Sequence, residues 1–431
     1  MNQTLSQKDK TLEPQNGGQF LSVAQAQSWI QAHISAISES EDVDLKSALG
    51  RVLSQDVLSP IDVPAHNNSA MDGYAFDGAQ LSKNHGLELR IAGNAFAGHP
   101  YTAEVEPSTC IKIMTGAMMP DSCDTVVPQE LITHTTNPTG ATITIPANQL
   151  QQGDNCRLRG EDLQNGRCAI ARGKRIGPAE LGLLASLGIA QVSVQRRLKV
   201  AYFSTGDEVR SLGQTLDTGC IYDSNRYTVF GMLTRLDCEL IDMGIIKDHP
   251  EALELALRAA CEQADAIITS GGVSVGEADY TKQVMATLGQ VDFWTIAMRP
   301  GRPLAFGKIH SNDQSAYLFG LPGNPVAVMV SFYFFVKQAL EQLIGAEKNP
   351  PLLIPAISRN AIRKRRGRTE YQRGIAKHNA QGQLEVVVTG SQGSGMLRSM
   401  SEANCMIVLH DEQEDIDVGG FVNILLFNGL T

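Results

Sequence analysis

The chain has 431 residues, 42% of them hydrophobic and 19% charged, which suits two to four globular domains that each bury a core. Its formal net charge of −10 argues against a nucleic-acid or anionic-membrane partner. The longest apolar run, Val326 to Val336, is interrupted by Ser331 and falls short of the ~18 residues of a membrane span, so it is read as a buried helix.

Residues 1–20 lack the apolar core of a secretory signal and are expected to form a disordered tail. The eight cysteines are scattered, with no C-x-x-C pair and no His at ligand spacing. That pattern speaks against a disulfide framework or a structural zinc site, makes most of the thiols small core side chains, and points to the cytoplasm.

Next in the chain, Val23, Ala26, Ile30, Ile34 and Ile37 fall on one face of a helix, and Ser22 with Gln25 has capping-box spacing at its start. From Ser59 to Val127 short β-like runs are broken by Gly and Pro, and "GATITIPA" continues them, which predicts a β-rich unit. "GPAELGLLASLGIAQVSV" predicts a helix and then a strand.

From Leu198 to about Gly345 strands and helices alternate. "LKVAYFS", "ELIDMGII" and "DAIITSGG" read as strands. "SNRYTVFGMLTRL" reads as a helix capped by Ser224, and the segment after "KDHP" as one with Leu253, Leu257 and Cys261 on a stripe. This alternation predicts a mostly parallel sheet with helices on both faces and a ligand crevice at the carboxyl ends of its strands. Those ends carry Thr205, Gly206, Asp207 and Glu208, then Asp248, then Ser270 through Asp279. "LPGNPV" adds a helix start, with Asn324 at the N-cap and Pro325 at the first helical position, aimed at the same crevice.

"TSGGVSVGEADYT" is neither a P-loop nor a dinucleotide fingerprint. Backbone amides and hydroxyls suit phosphate oxygens, and carboxylates beside a phosphate suit Mg²⁺. The residues alone therefore imply a phosphorylated, nucleotide-like ligand with a divalent metal, and spacing does not name it.

Several further stretches carry a family resemblance. "SGGVSVGEADYT", "STGDE", "LPGNPV", "RPGRPLAFGK", "PIDVPAHNNSAMDGYA", "IKIMTGAMMPDSCDTVV", "RLRGED" and "YQRG" occur in register from about Leu21 to the C-terminus. Together they resemble the MoeA-type molybdopterin molybdenumtransferase family, related to the gephyrin E domain. The resemblance implies α/β plus β-rich domains in one multidomain chain. Residues 21–60 and 161–197 would form an elongated N-terminal domain, with an inserted β-rich domain at 61–160. A three-layer α/β/α molybdopterin-binding domain would span 198–347, and a β-barrel-like domain 350–431.

The implied reaction inserts molybdate into adenylylated molybdopterin with release of AMP, in a Mg²⁺-dependent last step of molybdenum cofactor biosynthesis. Glu208, Asp248 and Asp279 match the family's acidic positions for metal and pyrophosphate, with Asp248 and Asp279 as the Mg²⁺ pair. Ser270, Gly271, Gly272, Ser274 and Gly276 would hold phosphate, and Pro322 and Pro325 would shape the neighbouring loop. Arg299, Arg302, Arg373 and Ser394 match the molybdate pocket, where Arg302 replaces a common Lys. Asp62, Asp72, Thr115 and Asp162 match polar positions that reach across a homodimer to complete composite sites. Asn67 stands where relatives often carry Asp. The basic run Arg363–Arg368 reads as a solvated β-turn. The upstream molybdopterin adenylyltransferase is a further candidate partner. A molybdopterin adenylyltransferase-like enzyme and a non-catalytic scaffold of the gephyrin type are the competing functions.

Overall fold

The computed structural model describes residues 20–138, 140–272 and 279–430; of Asn137, Asp279, Tyr280, Gly429 and Leu430 only the backbone is described. The expected tail up to Gln19 lies outside these residues. Phe20, also assigned to that tail, instead pairs with Thr295 at a sheet edge, and the Arg302 guanidinium lies 5.1 Å over its ring.

The first helix runs Val23–His33, and both capping-box bonds form, Gln25 N–H to Ser22 Oγ at 3.1 Å and Ser22 N–H to Gln25 Oε1 at 2.8 Å. It is shorter than the apolar pattern predicts. Ile34 is already extended, yet it remains 6% exposed and joins the same core as Val23, Ala26 and Ile30. The chain leaves the helix without leaving the apolar face.

Three two-stranded antiparallel pairs then link distant segments like rungs: Ser40–Asp44 with Gln191–Gln195, Val57–Leu58 with Cys168–Ile170, and Asn68–Ser69 with Cys156–Arg157. Between the inner rungs sits a six-stranded sheet built from segments between Gly73 and Ile145.

The central sheet has seven strands, with neighbours in the order Phe20–Leu21, Gly289–Ile296, Pro303–Ser311, Gln314–Leu321, Ala266–Ser270, Lys199–Thr205, Glu239–Ile246. Parallel pairing joins the last four of these strands and the first two; the 289–296, 303–311 and 314–321 strands form an antiparallel meander. Helices cover both faces. Val229, Leu233, Val326 and Phe335 belong to one core cluster; Leu253, Leu257, Val284 and Met285 belong to the other.

Asp223, not Ser224, caps the Ser224–Arg235 helix, because its carboxylate accepts from Arg226 N–H at 3.1 Å. From Pro325 to Leu343 the helical stretch is continuous through one widened turn at Phe332–Val336. At 19 residues and a mean hydropathy of 1.2 it is long and apolar enough to cross a membrane, which exceeds the run read from sequence, but 67% of that window is buried within the fold.

The C-terminal strands close on themselves. Thr369–His378 pairs with both Leu384–Val388 and Cys405–Leu409, completing a five-strand ring with Ile354–Ser358 and Phe421–Leu426. This barrel docks on the long helix through Tyr371, stacked on Phe334 with ring centroids 3.9 Å apart. The basic turn is not wholly solvated: Lys364 is 6% exposed and donates to the carbonyls of Arg365 and Gln413, while Arg368 pairs with buried Glu370 at 2.7 Å. Of the eight cysteines, all free, Cys110, Cys123, Cys261 and Cys405 are buried, fewer than expected, and Cys168 is exposed.

Candidate functional site

A cavity of about 820 Å³ lies at the carboxyl ends of the parallel strands. Its floor is the end of the Lys199–Thr205 strand, Ser204 to Gly206 with Glu208 beyond, and the Ser270–Gly271–Gly272 turn. Gly271 has φ +90°, and a Cβ there would meet Thr205 O at 2.6 Å and Thr205 Oγ1 at 2.8 Å. Only glycine allows the two strand ends to approach this closely. Below the floor, Tyr202 Oη bonds Ser204 Oγ at 2.8 Å and Ser270 Oγ at 2.7 Å, so both serines are fixed from behind.

One wall is the start of the long helix, Pro322 to Pro325. Arg299 to Pro303 also line the cavity, and of these Arg299 and Arg302 are exposed residues. The barrel contributes Gln392, Gly393 and Ser394, and the Ser394 carbonyl accepts the Val326 N–H at 3.0 Å. Site residues from two lobes of the molecule are thereby tied together by a helix start.

Of the residues expected from sequence, Glu208, Asp248, Ser270, Gly271, Gly272, Arg299, Arg302, Pro322, Pro325 and Ser394 all line this cavity. Ser274 and Gly276 lie outside the described residues, and Asp279 begins the Asp279–Leu288 helix. Arg373 is fully buried one layer behind the wall. Its guanidinium donates to Ser399 Oγ at 3.0 Å, Gly393 O at 3.1 Å and Ser391 O at 3.4 Å. Burial, with Arg299 nearby, lowers its pKa to about 10, so it remains a cation near neutrality.

Asp62, Asp72, Thr115 and Asp162 do not line the cavity. Asp72 accepts from Thr115 N–H at 2.8 Å and Thr115 Oγ1 at 2.7 Å, and these bonds hold its carboxyl below the usual range. Asp62 accepts from Asn165 N–H at 2.8 Å and pairs with Arg159 at 2.6 Å, with the same effect. Asp162 is exposed.

Sequence reasoning missed Asp223 and Asn225, which also line the cavity. The signal was available: "DSN" before a helix in an α/β unit has the same logic as Asn324 before Pro325.

Comparison with known proteins agrees along the chain. The profile described as MoeA N-terminal region (domain I and II) matches residues 21–188, that of a probable molybdopterin binding domain residues 201–342, and that of the MoeA C-terminal region (domain IV) residues 355–427. A molybdopterin molybdenumtransferase from Haemophilus influenzae is 42% identical over 413 residues, covering 95% of this chain and 100% of that protein. One from Bacillus subtilis is 31% identical, covering 91% of each. The crystal structure of a molybdopterin biosynthesis moeA protein from Pyrococcus horikoshii superposes with a TM-score of 0.79 at 25% identity, over 95% of this chain and 100% of that one. On this evidence the chain belongs to the MoeA family of molybdopterin molybdenumtransferases.

Proposed function

We propose that the chain converts adenylylated molybdopterin and molybdate into molybdenum-bearing molybdopterin and AMP, as a cytoplasmic homodimer acting last in cofactor assembly. Its family membership makes it a transferase of molybdenum cofactor biosynthesis. One observation carries the finer reading: a single cavity combines a tight Gly271–Gly272 turn of positive φ, two exposed arginines and several carboxylates. A pyrophosphate needs the first, a tetrahedral oxyanion the second, and a hard cation the third.

The Gly271 N–H is spent on the Leu321 carbonyl at 3.1 Å, so the Gly272 N–H with the Thr205 and Ser270 hydroxyls would hold the phosphates, and Gly271 would serve by its close approach to Thr205. Arg299, Arg302 and Ser394 would receive molybdate as substrate, and Arg373 would hold the 391–394 loop that presents Ser394. The dithiolene sulfurs belong to the pterin, so no soft protein ligand is required.

Among the described residues no three His, Cys, Asp or Glu side chains form a metal cluster. A Mg²⁺ shared with substrate phosphates needs only one or two protein carboxylates, and the cavity supplies hard oxygen donors of that kind. Asp248 and Asp279 would hold it, and when bound it would neutralise charge on the pyrophosphate.

Two features support a composite site in a dimer. Asp62, Asp72, Thr115 and Asp162 lie outside the cavity of their own chain. Exposed apolar side chains also mark the region where the cavity opens: Ile221 (57%) and Tyr222 (43%) line it, and Tyr227 and Phe230 share a side of the adjoining helix. The free cysteines suit a reducing compartment. An upstream molybdopterin adenylyltransferase would supply the adenylylated substrate.

Purified protein given adenylylated molybdopterin, Mg²⁺ and molybdate should release AMP and yield molybdenum-bearing pterin. An adenylyltransferase would instead consume ATP and form the adenylylated pterin. Folded protein that releases no AMP would overturn the proposal.

A further inference from the structure

Three buried polar atoms of residues that line the cavity have no hydrogen-bond partner among the described residues: Asp223 Oδ2, Asn225 Oδ1 and Thr205 Oγ1. Asp223 is 4% exposed; its Oδ1 caps the helix at Arg226 N–H, and Oδ2 is left over. Asn225 spends its amide N–H on the Gly323 carbonyl at 2.8 Å and approaches Ser270 Oγ at 3.5 Å, leaving its carbonyl oxygen unused. Thr205 is 8% exposed. Buried polar atoms are normally satisfied, so three orphans lining one cavity point to a ligand that satisfies them.

The donor set says which kind. Asp223 and Asn225 offer two acceptors, two residues apart, at the start of the Ser224–Arg235 helix. A divalent cation is disfavoured there, because the helix's positive end opposes it and only one carboxylate oxygen is free. Neutral O–H or N–H donors meet no such penalty. Asn225 also bridges the Ser270 turn and the Gly323 turn, so its free oxygen sits beside the proposed phosphate residues. In a nucleotide, the group one ester bond from phosphate that carries paired donors is the ribose. A carboxylate that accepts from ribose hydroxyls is a recurring solution in α/β nucleotide sites.

We propose that Asp223 Oδ2 and Asn225 Oδ1 accept the vicinal 2′- and 3′-hydroxyls of the substrate's adenosine, while Thr205 Oγ1 donates to the adjoining phosphate. This rests on the reading above that the substrate is adenylylated, and it turns Asp223 and Asn225 into determinants of nucleotide specificity.

Binding of AMP and of 2′,3′-dideoxy-AMP to the full chain, with Mg²⁺ present, tests it by calorimetry. Wild type should prefer AMP by about tenfold or more, the worth of a hydroxyl donated to a buried carboxylate. Asp223→Asn retains an oxygen for the Arg226 cap and should lose most of that preference, with dideoxy-AMP binding nearly unchanged and an unaltered Tm. Equal wild-type affinities for the two nucleotides would overturn the assignment and leave the adenylylated substrate in place. Failure of wild type to bind either nucleotide would overturn both. A folded variant that loses both ligands equally would make Asp223 a structural support only. Should the variant not fold, the wild-type comparison still decides.

Discussion

At the scale of single residues, Gly271 is where backbone geometry and chemistry meet. A Cβ on it would collide with the Thr205 carbonyl and hydroxyl, and its φ lies in the left-handed region. Gly271→Ala should therefore destabilise the fold by about 1–3 kcal/mol and reduce AMP release more than tenfold, since the turn must shift away from the phosphates. Thermal unfolding and a turnover assay on the same sample check both. Asp72 makes a different kind of prediction. Its lowered native pKa, caused first by the Thr115 N–H and then by the hydroxyl, means that its stabilisation is present above the ordinary carboxylate value of about 3.9. That stabilisation is lost as pH falls through the native value. Thr115→Val should move the Asp72 midpoint only part of the way up in an NMR titration, because the backbone bond survives. An unmoved midpoint would mean the hydroxyl contributes nothing. Legibility at this scale followed chemistry that is local in sequence. The glycine turn and the arginines announce themselves, whereas the burial of Arg373 depends on which strand of a closed barrel it occupies.

Elements were legible where one periodicity ran long enough, and less so where pairing was non-local. The strands at Lys199–Thr205, Glu239–Ile246 and Ala266–Ser270 stand out as apolar runs between helices. The 289–296 and 303–311 strands do not, because antiparallel partners are chosen by contacts that no local pattern encodes. The same holds for the rungs between 40–58 and 168–195, two to five residues each and joined across more than a hundred. The 391–394 loop is an element whose position depends on one side chain. Arg373 reaches it through the Ser391 and Gly393 carbonyls, and Ser394 then meets the start of the long helix. Arg373→Ala would strand those carbonyls and leave a cavity, at a cost of roughly 2–4 kcal/mol. The loop would loosen, and the molybdate needed for half-maximal insertion should rise at least tenfold while AMP affinity holds. Titrating molybdate at saturating pterin measures this, and an unchanged midpoint would separate the loop from molybdate binding.

At the scale of the whole molecule, the long helix joins what would otherwise be separate lobes. The first helix docks on it through Gln342, whose amide donates to the Gln31 and Ile34 carbonyls at 2.8 Å each, and the barrel docks through Tyr371. The six-stranded sheet, by contrast, is held at the far end of thin two-stranded rungs, and its Asp72–Thr115 pair lies outside the cavity of its own chain. A second copy related by a twofold axis could bring that pair to the first copy's cavity, and each dimer would then hold two composite sites. Asp62→Ala and Asp279→Ala would inactivate different halves of a site. Homodimers of either variant should thus be nearly inactive. A mixed dimer carries one site with both defects and one with neither, so purified heterodimers should recover roughly half of wild-type AMP release, one intact site in two. Differently tagged chains, co-expressed and purified through both tags, give the required sample. Heterodimers as inactive as the parents would mean that both residues serve the same chain's site, and a fully active monomer would remove the partner from the mechanism altogether.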